Sequence, residues 1–413
     1  MDCLTPDDGI FRDEDALRDH FPSRILERDE KLAEYQRTFQ EVVRNKRPRN
    51  VFLYGPTGVG KTIGTKAVFR NLERSIEQFD YGASRFSEPS LRTVHLECKD
   101  LNTSYQVAAH LLNLLRAETD RERVSTTGYP EGEIYRLLFD ELRATAASHV
   151  LVALDEIDTV GSDDNILYKL PRCNNDDSAR YVDPETTKVG VVGITNDGTF
   201  RDTLDPRAKS TLCDQEIHFP PYDATELGTI LRDRADVAFH DGVLSADVIP
   251  LTAALAAQRS GYARTALDLL YEAADQARTA DDGTVTEAHV EAAEESIQQG
   301  AIVEEVHGLS VHGKLVAYAV FRLCEREATP AKIDTVYAWY KQAAEQVDVS
   351  PVTSRTVHNT LNDLMVAGIV DSQEVNRGRG GGRHYEYELS CRPATLLDGL
   401  TGDPRVRAVD TRL

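Results

Sequence analysis

The glycine-rich stretch Gly55–Thr62, which reads Gly-Pro-Thr-Gly-Val-Gly-Lys-Thr, limits how this chain can fold more than any other part of it. The apolar run Val51–Tyr54 precedes it, and a segment with helical character follows. A strand, such a turn and a helix in this order are the context of a P-loop, in which backbone N–H groups curl around the phosphates of a nucleotide. An ordinary glycine-rich turn fits this context poorly, so the chain is predicted to bind a nucleoside triphosphate.

The spacing within the motif suggests a role for its polar residues. Lys61 would reach the β and γ oxygens of the triphosphate, and the Thr62 hydroxyl would ligate Mg²⁺. The contacts predicted from this loop are Gly58, Val59, Gly60, Lys61, Thr62 and Ile63. ATP or ADP together with Mg²⁺ is therefore the expected ligand.

Chain length and cysteine usage indicate the number of domains and the cellular compartment. A chain of 413 residues has room for two or three domains. It contains no apolar run of bilayer-spanning length, and its first residues, Met1–Asp8, lack the basic and apolar regions of a signal peptide. Its six cysteines are scattered and form no C-x-x-C pair, which indicates free thiols in a reducing compartment. We therefore expect a soluble, cytoplasmic protein without a membrane partner.

The charge balance is strongly acidic, with 69 acidic against 47 basic residues and a net charge of −22. Arginine far outnumbers lysine. At very high salt, repulsion between like charges is screened within a few ångströms, so such a surface favours solubility. The composition indicates a halophilic host. The alternative is an acidic protein that avoids nucleic acid. Only the charge of individual segments can decide between the two interpretations.

A second phosphate-chemistry motif follows the apolar run Val150–Leu154, where the chain continues with Asp155 and Glu156. A continuous apolar run is typical of a strand buried on both faces of a parallel sheet, and its carboxyl end faces the ligand crevice. Asp155 would hold Mg²⁺ through water, and Glu156 would polarise the attacking water. An acidic turn is the alternative. The motif predicts hydrolysis of ATP as well as binding.

Two later polar residues complete a candidate catalytic set. Asn196 follows the apolar run Val189–Thr195, and its amide would sense the γ-phosphate. Arg264 begins a helical pattern and would reach the same phosphate from a lid. Taken singly, Asn196 reads as a turn residue and Arg264 as a surface arginine, so both assignments depend on their order after the first two motifs.

This ordered set resembles an AAA+ ATPase, in which an α/β P-loop domain (a parallel sheet with helices on both faces) carries a helical lid. The segments Leu204–Leu212 and Ile217–Tyr222 are similar to archaeal, and with this composition haloarchaeal, replication initiators of the origin-recognition-complex/Cdc-six type. The N-terminal segments Ile10–Glu14 and Pro22–Arg28 are similar to that family's adenine-contacting stretch. The resemblance covers nearly the whole chain.

The resemblance implies further site residues. Tyr222 and Arg234 would contact the nucleotide between base and lid, and a DNA-touching helical insertion would lie within Asn102–Pro130. Related eukaryotic loaders carry a Ser-Arg pair where this chain has Ser210-Thr211, so the usual arginine finger is missing. Arg207 is the candidate replacement that would act on a neighbour's nucleotide, with Lys209 as a weaker one and a plain surface role as the alternative.

The chain after about residue 300 has the pattern of a winged helix. Leu315–Leu323 and Ile333–Ala344 have helical spacing, and Pro351 precedes a third helix. In that third helix the residues predicted to face outward, toward DNA, are Ser354, Arg355, His358, Asn359 and Asn362, whereas Val357, Leu361 and Leu364 share the opposite face. A solvated polar face is the alternative.

A glycine-rich hairpin tip follows. It carries Arg377, Arg379 and Arg383, which reverse the charge locally in an acidic chain, and the alternating strand Tyr385–Leu389 comes after it. Such a tip would enter a minor groove or lie along the DNA backbone. A functionless flexible loop is the alternative.

Four regions are expected: an ATPase base over residues 1–222, a lid over 223–300, a winged-helix domain over 301–395 and a C-terminal tail over 396–413. The predicted function is an ATP-switched initiator that hydrolyses ATP slowly, binds double-stranded origin DNA within the nucleoid and recruits the replicative helicase. Related initiator copies would be further partners. An ATPase-coupled transcription regulator, a branch-migration or clamp-loading motor and a non-hydrolysing scaffold are the alternatives.

Overall fold

The computed structural model describes residues 9–18, 25–84, 86–117, 119, 121–161, 163–175, 181–376 and 383–410. The chain divides into two compact units, one ending at Val290 and the other beginning at Glu291. Each unit has its own buried apolar core. No helix in these ranges is long and apolar enough to cross a lipid bilayer.

The first unit is built on a five-stranded parallel sheet. Its strands are β1 (Val51–Tyr54), β2 (Leu91–Glu97), β3 (His149–Asp155), β4 (Lys188–Thr195) and β5 (Gln215–His218). Their spatial order is β2-β3-β4-β1-β5. Val51, Phe52 and Leu53 are all fully buried although successive side chains point to opposite faces, so helices must cover both faces of the sheet. The predicted α/β architecture is confirmed.

Short and long helices alternate with these strands. They are α1 (Asp15–Arg18), α2 (Asp29–Thr38), α3 (Gln40–Val43), α4 (Lys61–Gln78), α5 (Ser104–Arg116), α6 (Glu131–Ala144), α7 (Asn165–Lys169), α8 (Phe200–Thr203) and α9 (Pro206–Leu212). Helix α4 begins at the P-loop lysine, so its N-terminus points at the expected phosphates. Helices α5, α6 and α7 pack their apolar faces against β2, β3 and β4.

A helical lid follows the sheet. It comprises α10 (Ala224–Ala238), α11 (Val248–Arg259), α12 (Ala263–Thr279) and α13 (Glu287–Gly308). Asp223 and Glu226 form a capping box at the start of α10, which fixes where the lid begins. The N-terminal segment packs on the lid, because the Phe11 ring lies 5.3 Å from Phe239 and the Arg12 N–H donates to Ala238 O at 2.8 Å. Helix α13 continues beyond residue 300, the expected lid boundary.

The second unit is a winged helix. After α13 it contains α14 (Val311–Glu325), β6 (Ala331–Lys332), α15 (Ile333–Gln346), α16 (Ser354–Val366), β7 (Val370–Asn376), β8 (Arg383–Leu389), α17 (Pro393–Thr401) and α18 (Pro404–Asp410). The strands form an antiparallel sheet in the order β6-β8-β7. The three helices and the hairpin that the sequence predicts are all present.

The stretch set apart as a tail, residues 396–413, contributes to this core. Leu396, Leu400 and Val406 are buried together with Val306 and Leu315. The absent side chain of Gly399 lets α17 approach closely, since a Cβ there would lie 2.9 Å from Val306 Cβ. Removing this stretch would therefore expose apolar surface of the winged helix.

Candidate nucleotide and DNA sites

The predicted nucleotide residues meet at one edge of the sheet. Tyr54 of β1 is in register with Thr195 of β4, and Glu97 of β2 with Asp155 of β3. Parallel pairing thus brings the carboxyl ends of these strands to a common level. The turn after β1, the carboxylates after β3 and Asn196 after β4 lie side by side around one cleft of about 700 Å³.

The P-loop turn lies against the lid and the segment that leads to it. Gly58 (φ +78°) and Gly60 (φ +94°) have left-handed backbone conformations that favour glycine. A Cβ at Gly58 would lie 3.2 Å from Arg264 Cβ, and one at Gly60 would lie 3.3 Å from Tyr222 Oη. Both the conformation and the crowding exclude larger residues here.

Lys61 is buried beneath this turn. Its ammonium donates to Gly55 O at 2.6 Å, Pro56 O at 2.7 Å and Asn196 Oδ1 at 2.8 Å. These three acceptors satisfy all three donors of the group. Burial lowers the pKa of Lys61 to about 8, although the carboxylates of Asp155, Asp158 and Glu156 oppose the shift.

The hydroxyl and carboxylate expected at Mg²⁺ are in direct contact, because Thr62 Oγ1 donates to Asp155 Oδ2 at 2.5 Å. His95 Nε2 lies 3.3 Å from the same oxygen. In the described part of the chain, no cluster of three or more His, Cys, Asp or Glu side chains forms a metal site of its own. One hydroxyl and one carboxylate fit Mg²⁺, which keeps several waters and binds substrate phosphates besides one or two carboxylates.

Asn196 links the lysine to the carboxylate expected to activate water. Its Oδ1 accepts from Lys61, and its Nδ2 donates to Glu156 Oε1 at 3.4 Å. Glu156 has a left-handed backbone (φ +55°), and its N–H donates to Asp155 Oδ1 at 3.0 Å. Such strain in a non-glycine residue clusters at functional sites, which supports the prediction that Glu156 acts in catalysis.

The lid closes the other side of the cleft. Tyr222, Arg234 and Arg264 all line it, as do Asp233 and Asp268. Tyr222 and Arg234 are buried, and desolvation lowers the pKa of Arg234. The structure thus brings the base residues and the lid residues named from the sequence to one cavity, with the exceptions of Arg207 and of Val59, which is fully buried and does not line it.

Two backbone hydrogen bonds fasten the lid. The Ala263 N–H donates to Gly58 O at 3.1 Å, and the Tyr222 N–H donates to Gly261 O at 2.8 Å. Gly261 has φ +68°, and a Cβ there would lie 2.7 Å from Tyr222 O. The start of α12, which carries Arg264, is therefore held directly against the P-loop.

Arg28 is a buried site residue that sequence reasoning did not select. Its guanidinium lies 3.5 Å from the centroid of the Tyr222 ring and donates to Pro220 O at 2.5 Å and to Val59 O at 3.4 Å. It thus joins the P-loop to the segment that leads into the lid. Its only sequence signal is its place at the end of Pro22–Arg28, the N-terminal segment that resembles an adenine-contacting stretch.

Other cleft residues were also missed. Further polar ones are Arg18, Lys66, His95 and Glu97. An apolar wall suited to a base is formed by Leu17, Ile25, Leu26, Ile63, Ile230 and Leu267. Of these, Ile63 is a predicted contact of the P-loop, and Ile25 and Leu26 lie in the segment that resembles an adenine-contacting stretch. Burial lowers the pKa of His95, and Asp155 opposes that shift. The alternation of β2 could have suggested His95 and Glu97, but nothing in the sequence alone relates Leu17 to Ile230.

Arg207 lies apart from these residues. It is exposed in the first turn of α9 and does not line the nucleotide cleft of its own chain. Asp205 caps that helix by accepting from the Arg207 N–H at 2.8 Å. A role for Arg207 toward a neighbouring nucleotide stays a prediction.

The candidate recognition helix, α16, has the two faces that its spacing predicts. Val357, Leu361 and Leu364 are buried, while Arg355 and Asn359 are exposed. Ser354 and His358 are half-buried and Asn362 is exposed. Helix α16 thus presents guanidinium, imidazole and amide groups that suit contacts with phosphates and base edges.

The hairpin is described on both sides of its tip. Asn376 pairs with Arg383 at the outer end of β7 and β8. Arg377 and Arg379 lie outside the described residues, as does the side chain of Arg383. Within Asn102–Pro130, Arg116 and Arg121 both donate to Glu141 Oε2 at 3.0 Å. DNA contacts of the tip and of this insertion therefore stay predictions.

Comparison with protein families gives three matches along the chain. The model described as the AAA domain matches residues 44–192, the Cdc6 AAA+ ATPase-type lid domain matches 228–295, and the CDC6 C-terminal winged helix domain matches 304–399. Together they follow the order of sheet, lid and winged helix seen in the structure.

Similar proteins cover the same length. The chain is 44% identical to the ORC1-type DNA replication protein 1 of Haloarcula marismortui, over 98% of this chain and 96% of that one. It is 36% identical to the ORC1-type DNA replication protein of Thermococcus kodakarensis, over 97% and 93% of the two chains.

A similar solved structure is that of the Aeropyrum pernix ORC1 protein in complex with DNA, with a TM-score of 0.73 and 33% identity. The structural match covers 97% of this chain and 99% of the Aeropyrum pernix chain. The Cdc6p structure from Pyrobaculum aerophilum, at 20% identity and a TM-score of 0.56, shares the fold. The chain therefore belongs to the ORC1/Cdc6 family of replication initiators, which are AAA+ ATPases with a C-terminal winged helix.

Proposed function

We propose that this protein binds double-stranded origin DNA through its winged helix, that bound ATP controls this binding, and that it recruits the replicative helicase. The observation that carries the proposal is the shared cleft of base and lid, in which Arg234 and Arg264 face the same space as Lys61 and Asn196. A γ-phosphate at that place would contact both parts. Its loss would remove a contact on which the position of the lid depends.

The chain's own residues account for nucleotide binding. The Lys61 ammonium would exchange the carbonyl oxygens of Gly55 and Pro56 for phosphate oxygens, while Asn196 keeps it aligned. Backbone N–H groups at the start of α4 and the positive end of that helix would hold the remaining phosphate charge. The apolar wall described above would cover one face of the base.

Hydrolysis would depend on the turn after β3. Thr62 and Asp155 would hold Mg²⁺, which when bound neutralises charge on the β- and γ-phosphates. Glu156 would orient and polarise the attacking water, with Asn196 fixing its carboxylate. We infer slow turnover because the helix end at Ser210-Thr211 lacks the usual arginine, and an arginine finger typically contributes about 10³–10⁵ in rate.

Two observations support DNA as the partner of the second unit. Its third helix exposes Arg355 and Asn359, and the similar ORC1 structure from Aeropyrum pernix contains DNA. Phosphate contacts would provide most of the affinity, and groove contacts from α16 and the hairpin would provide specificity. Related initiator copies would bind beside it on the same origin.

The test is binding of the purified protein to the DNA that flanks its own gene and to a scrambled duplex. Both are measured in molar potassium chloride, with ATP, with ADP and without nucleotide. We expect selective binding that changes with the nucleotide, and loss of the nucleotide effect in Lys61→Ala. Equal binding to both duplexes under all three conditions would contradict origin recognition at this site.

Helicase recruitment needs a separate experiment. The protein–DNA complex is immobilised, and capture of the purified replicative helicase from the same host is measured with ATP and with ADP. Capture that depends on the nucleotide is expected. DNA binding without helicase capture in either state would leave a DNA-binding ATPase that acts as a regulator of transcription.

A further inference from the structure

A second cleft lies at the opposite edge of the sheet from the nucleotide. Its volume is about 380 Å³. Asn50 directly precedes β1 and Asp214 directly precedes β5, so the cleft opens beside the amino ends of the strands. The residues that matter for its chemistry are Arg47, Arg49, Asn50, Arg172, Asn175 and Asp214.

The charge of this cleft is opposite to that of the whole molecule. Its described lining contains three guanidinium groups and one carboxylate, in a chain whose net charge is −22. Among the residues that the structure describes, no carboxylate forms an ion pair with Arg47, Arg49 or Arg172. Many other arginines of the first unit are paired, as Arg116 is with buried Glu141. What sets the cleft apart is that three guanidinium groups without an ion pair lie together in it, which makes it a candidate anion site.

The guanidinium groups are held in place without using carboxylates. Arg47 donates to Asn175 Oδ1 at 2.6 Å and to Pro171 O at 3.2 Å. The Cζ atom of Arg172 lies 5.1 Å from the centroid of the Tyr168 ring. A guanidinium group that is already held in one orientation loses less conformational entropy when it binds an oxyanion.

One polar atom of the cleft is buried and unsatisfied. Arg172 Nε is inaccessible to solvent and has no hydrogen-bond partner in the described structure. Buried N–H donors in native proteins nearly always have an acceptor, and each exception needs an explanation. An acceptor oxygen that enters the cleft and meets the edge of the Arg172 guanidinium would supply it.

We propose that this cleft binds a phosphate group, distinct from the phosphates in the P-loop. Guanidinium groups recognise phosphate through pairs of N–H donors, and a doubly charged oxyanion matches three cations and one carboxylate better than a single carboxylate would. Either a free phosphate compound or the backbone of DNA presents this chemistry. The cleft lies at the opposite edge of the sheet from the P-loop and shares no lining residue with the nucleotide cleft, so the inference does not depend on the proposed function.

The test begins with the full protein saturated with a non-hydrolysable ATP analogue and Mg²⁺, so that the P-loop and its γ-phosphate position are occupied. Binding of inorganic phosphate and of tripolyphosphate is then measured by calorimetry at fixed ionic strength. The variants are Arg172→Gln and Arg49→Gln. Arg49 is exposed, so its replacement tests the cleft even if Arg172→Gln impairs folding. The control is Arg74→Gln, an exposed arginine of α4 that lines neither cleft.

We expect saturable binding by the wild type and by Arg74→Gln, and an affinity lower by about tenfold or more in each cleft variant, as for the loss of one charged hydrogen bond. The proposal is overturned if the wild type binds neither anion, or if all four proteins bind equally. Binding of the same variants to a DNA duplex distinguishes the two sources of the phosphate group. If DNA supplies the phosphate, Arg49→Gln also lowers the slope of log affinity against log salt by about one. If a free compound supplies it, duplex binding is the same in Arg49→Gln and Arg74→Gln.

Discussion

The Lys61 ammonium already has three hydrogen-bond acceptors inside the protein, and this fact determines how a nucleotide enters the site. On nucleotide binding, phosphate oxygens would replace the carbonyl oxygens of Gly55 and Pro56 as acceptors of the Lys61 ammonium. Binding is therefore an exchange of acceptors around a charge that stays buried. The Asn196 amide contacts both Lys61 and Glu156, so it would link the proposed phosphate end of the site to the proposed water-activating end.

Glu156→Gln tests the assignment of the general base. The amide keeps the size of the side chain and its contact with Asn196 but cannot accept a proton, so ATP should bind normally. Turnover should fall by about 10²–10⁴, the usual contribution of a positioned base. Phosphate release and nucleotide affinity are measured in parallel. Unchanged turnover would show that another group activates the water, and an undetectable wild-type rate would favour a non-hydrolysing scaffold.

Arg28→Ala tests the contact between the P-loop and the lid linker. The change removes two hydrogen bonds and a cation–π contact from a buried cation. We expect a loss of about 2–3 kcal/mol of stability, together with weaker nucleotide binding. Thermal unfolding and nucleotide titration measure the two effects. For the stability measurement Tyr222→Phe is the control, since it keeps the ring under Arg28 and should cost much less stability.

The sequence predicts site residues well where a strand end or a motif fixes them. Lys61, Asp155 and Asn196 were found because each follows an apolar run at the same edge of a parallel sheet. Arg28 was not, because its value depends on contacts with Pro220 and Tyr222, nearly two hundred residues away along the chain. Contacts between residues so far apart leave no periodic pattern and no local compositional signal in the sequence.

Strand β3 contains a titratable group in the core, His149 at its first position. Nε2 of this imidazole lies 2.9 Å from Lys46 O, and desolvation lowers its pKa from 6.5 to about 4. The folded protein therefore holds His149 neutral under conditions where the unfolded chain protonates it. Lowering the pH from about 6.5 to 4 should weaken the fold.

His149→Gln isolates this contribution. Because glutamine does not titrate, the variant should lose less stability than the wild type over that pH window, by up to about 3 kcal/mol. Denaturant unfolding of both proteins at several pH values measures the difference. Above about pH 7 the two stability profiles should run parallel. Parallel profiles down to pH 4 as well would contradict a depressed His149 pKa.

Helix α16 can be tested as a recognition element by replacing exposed residues that do not support the core. Asn359→Ala should weaken binding to the cognate duplex by roughly tenfold and reduce selectivity, as loss of a base contact does. Arg355→Ala should weaken all duplexes alike and reduce the salt dependence. Arg74→Ala on α4 is the control. Equal DNA binding by all these variants would show that the polar face of α16 is merely solvated and does not contact DNA.

The elements themselves were largely predictable, and their boundaries were less so. The winged-helix segments have strong apolar periodicity, so α14, α15 and α16 follow from the sequence. Helix α13 continues past residue 300, the expected end of the lid, because no proline follows Gly300 to stop it there. The end of the chain reads as a tail until α17 is seen packing against Val306, a contact that local sequence does not encode.

The whole molecule combines a strongly acidic surface with two separate cores. Repulsion among the excess carboxylates opposes folding at low salt, and added salt screens it. We expect the melting temperature to rise by roughly 5 °C or more between about 0.2 and 2 M potassium chloride. Differential scanning fluorimetry measures this rise. Sucrose of matched osmolality is the control, and an equal rise in sucrose would point to solute exclusion instead.

The hydrogen bond from the Ala263 N–H to Gly58 O joins lid and P-loop through main-chain atoms alone. The bond itself uses no side chain of α12, and at position 263 it excludes only proline; the left-handed backbone of Gly58 remains the one local requirement on the P-loop side. Sequence drift can therefore replace nearly every side chain of α12 and still leave this contact intact. Among distant descendants of one ancestor, the docking of the lid would be inherited with the fold, while the side chains that read the nucleotide remain free to diverge.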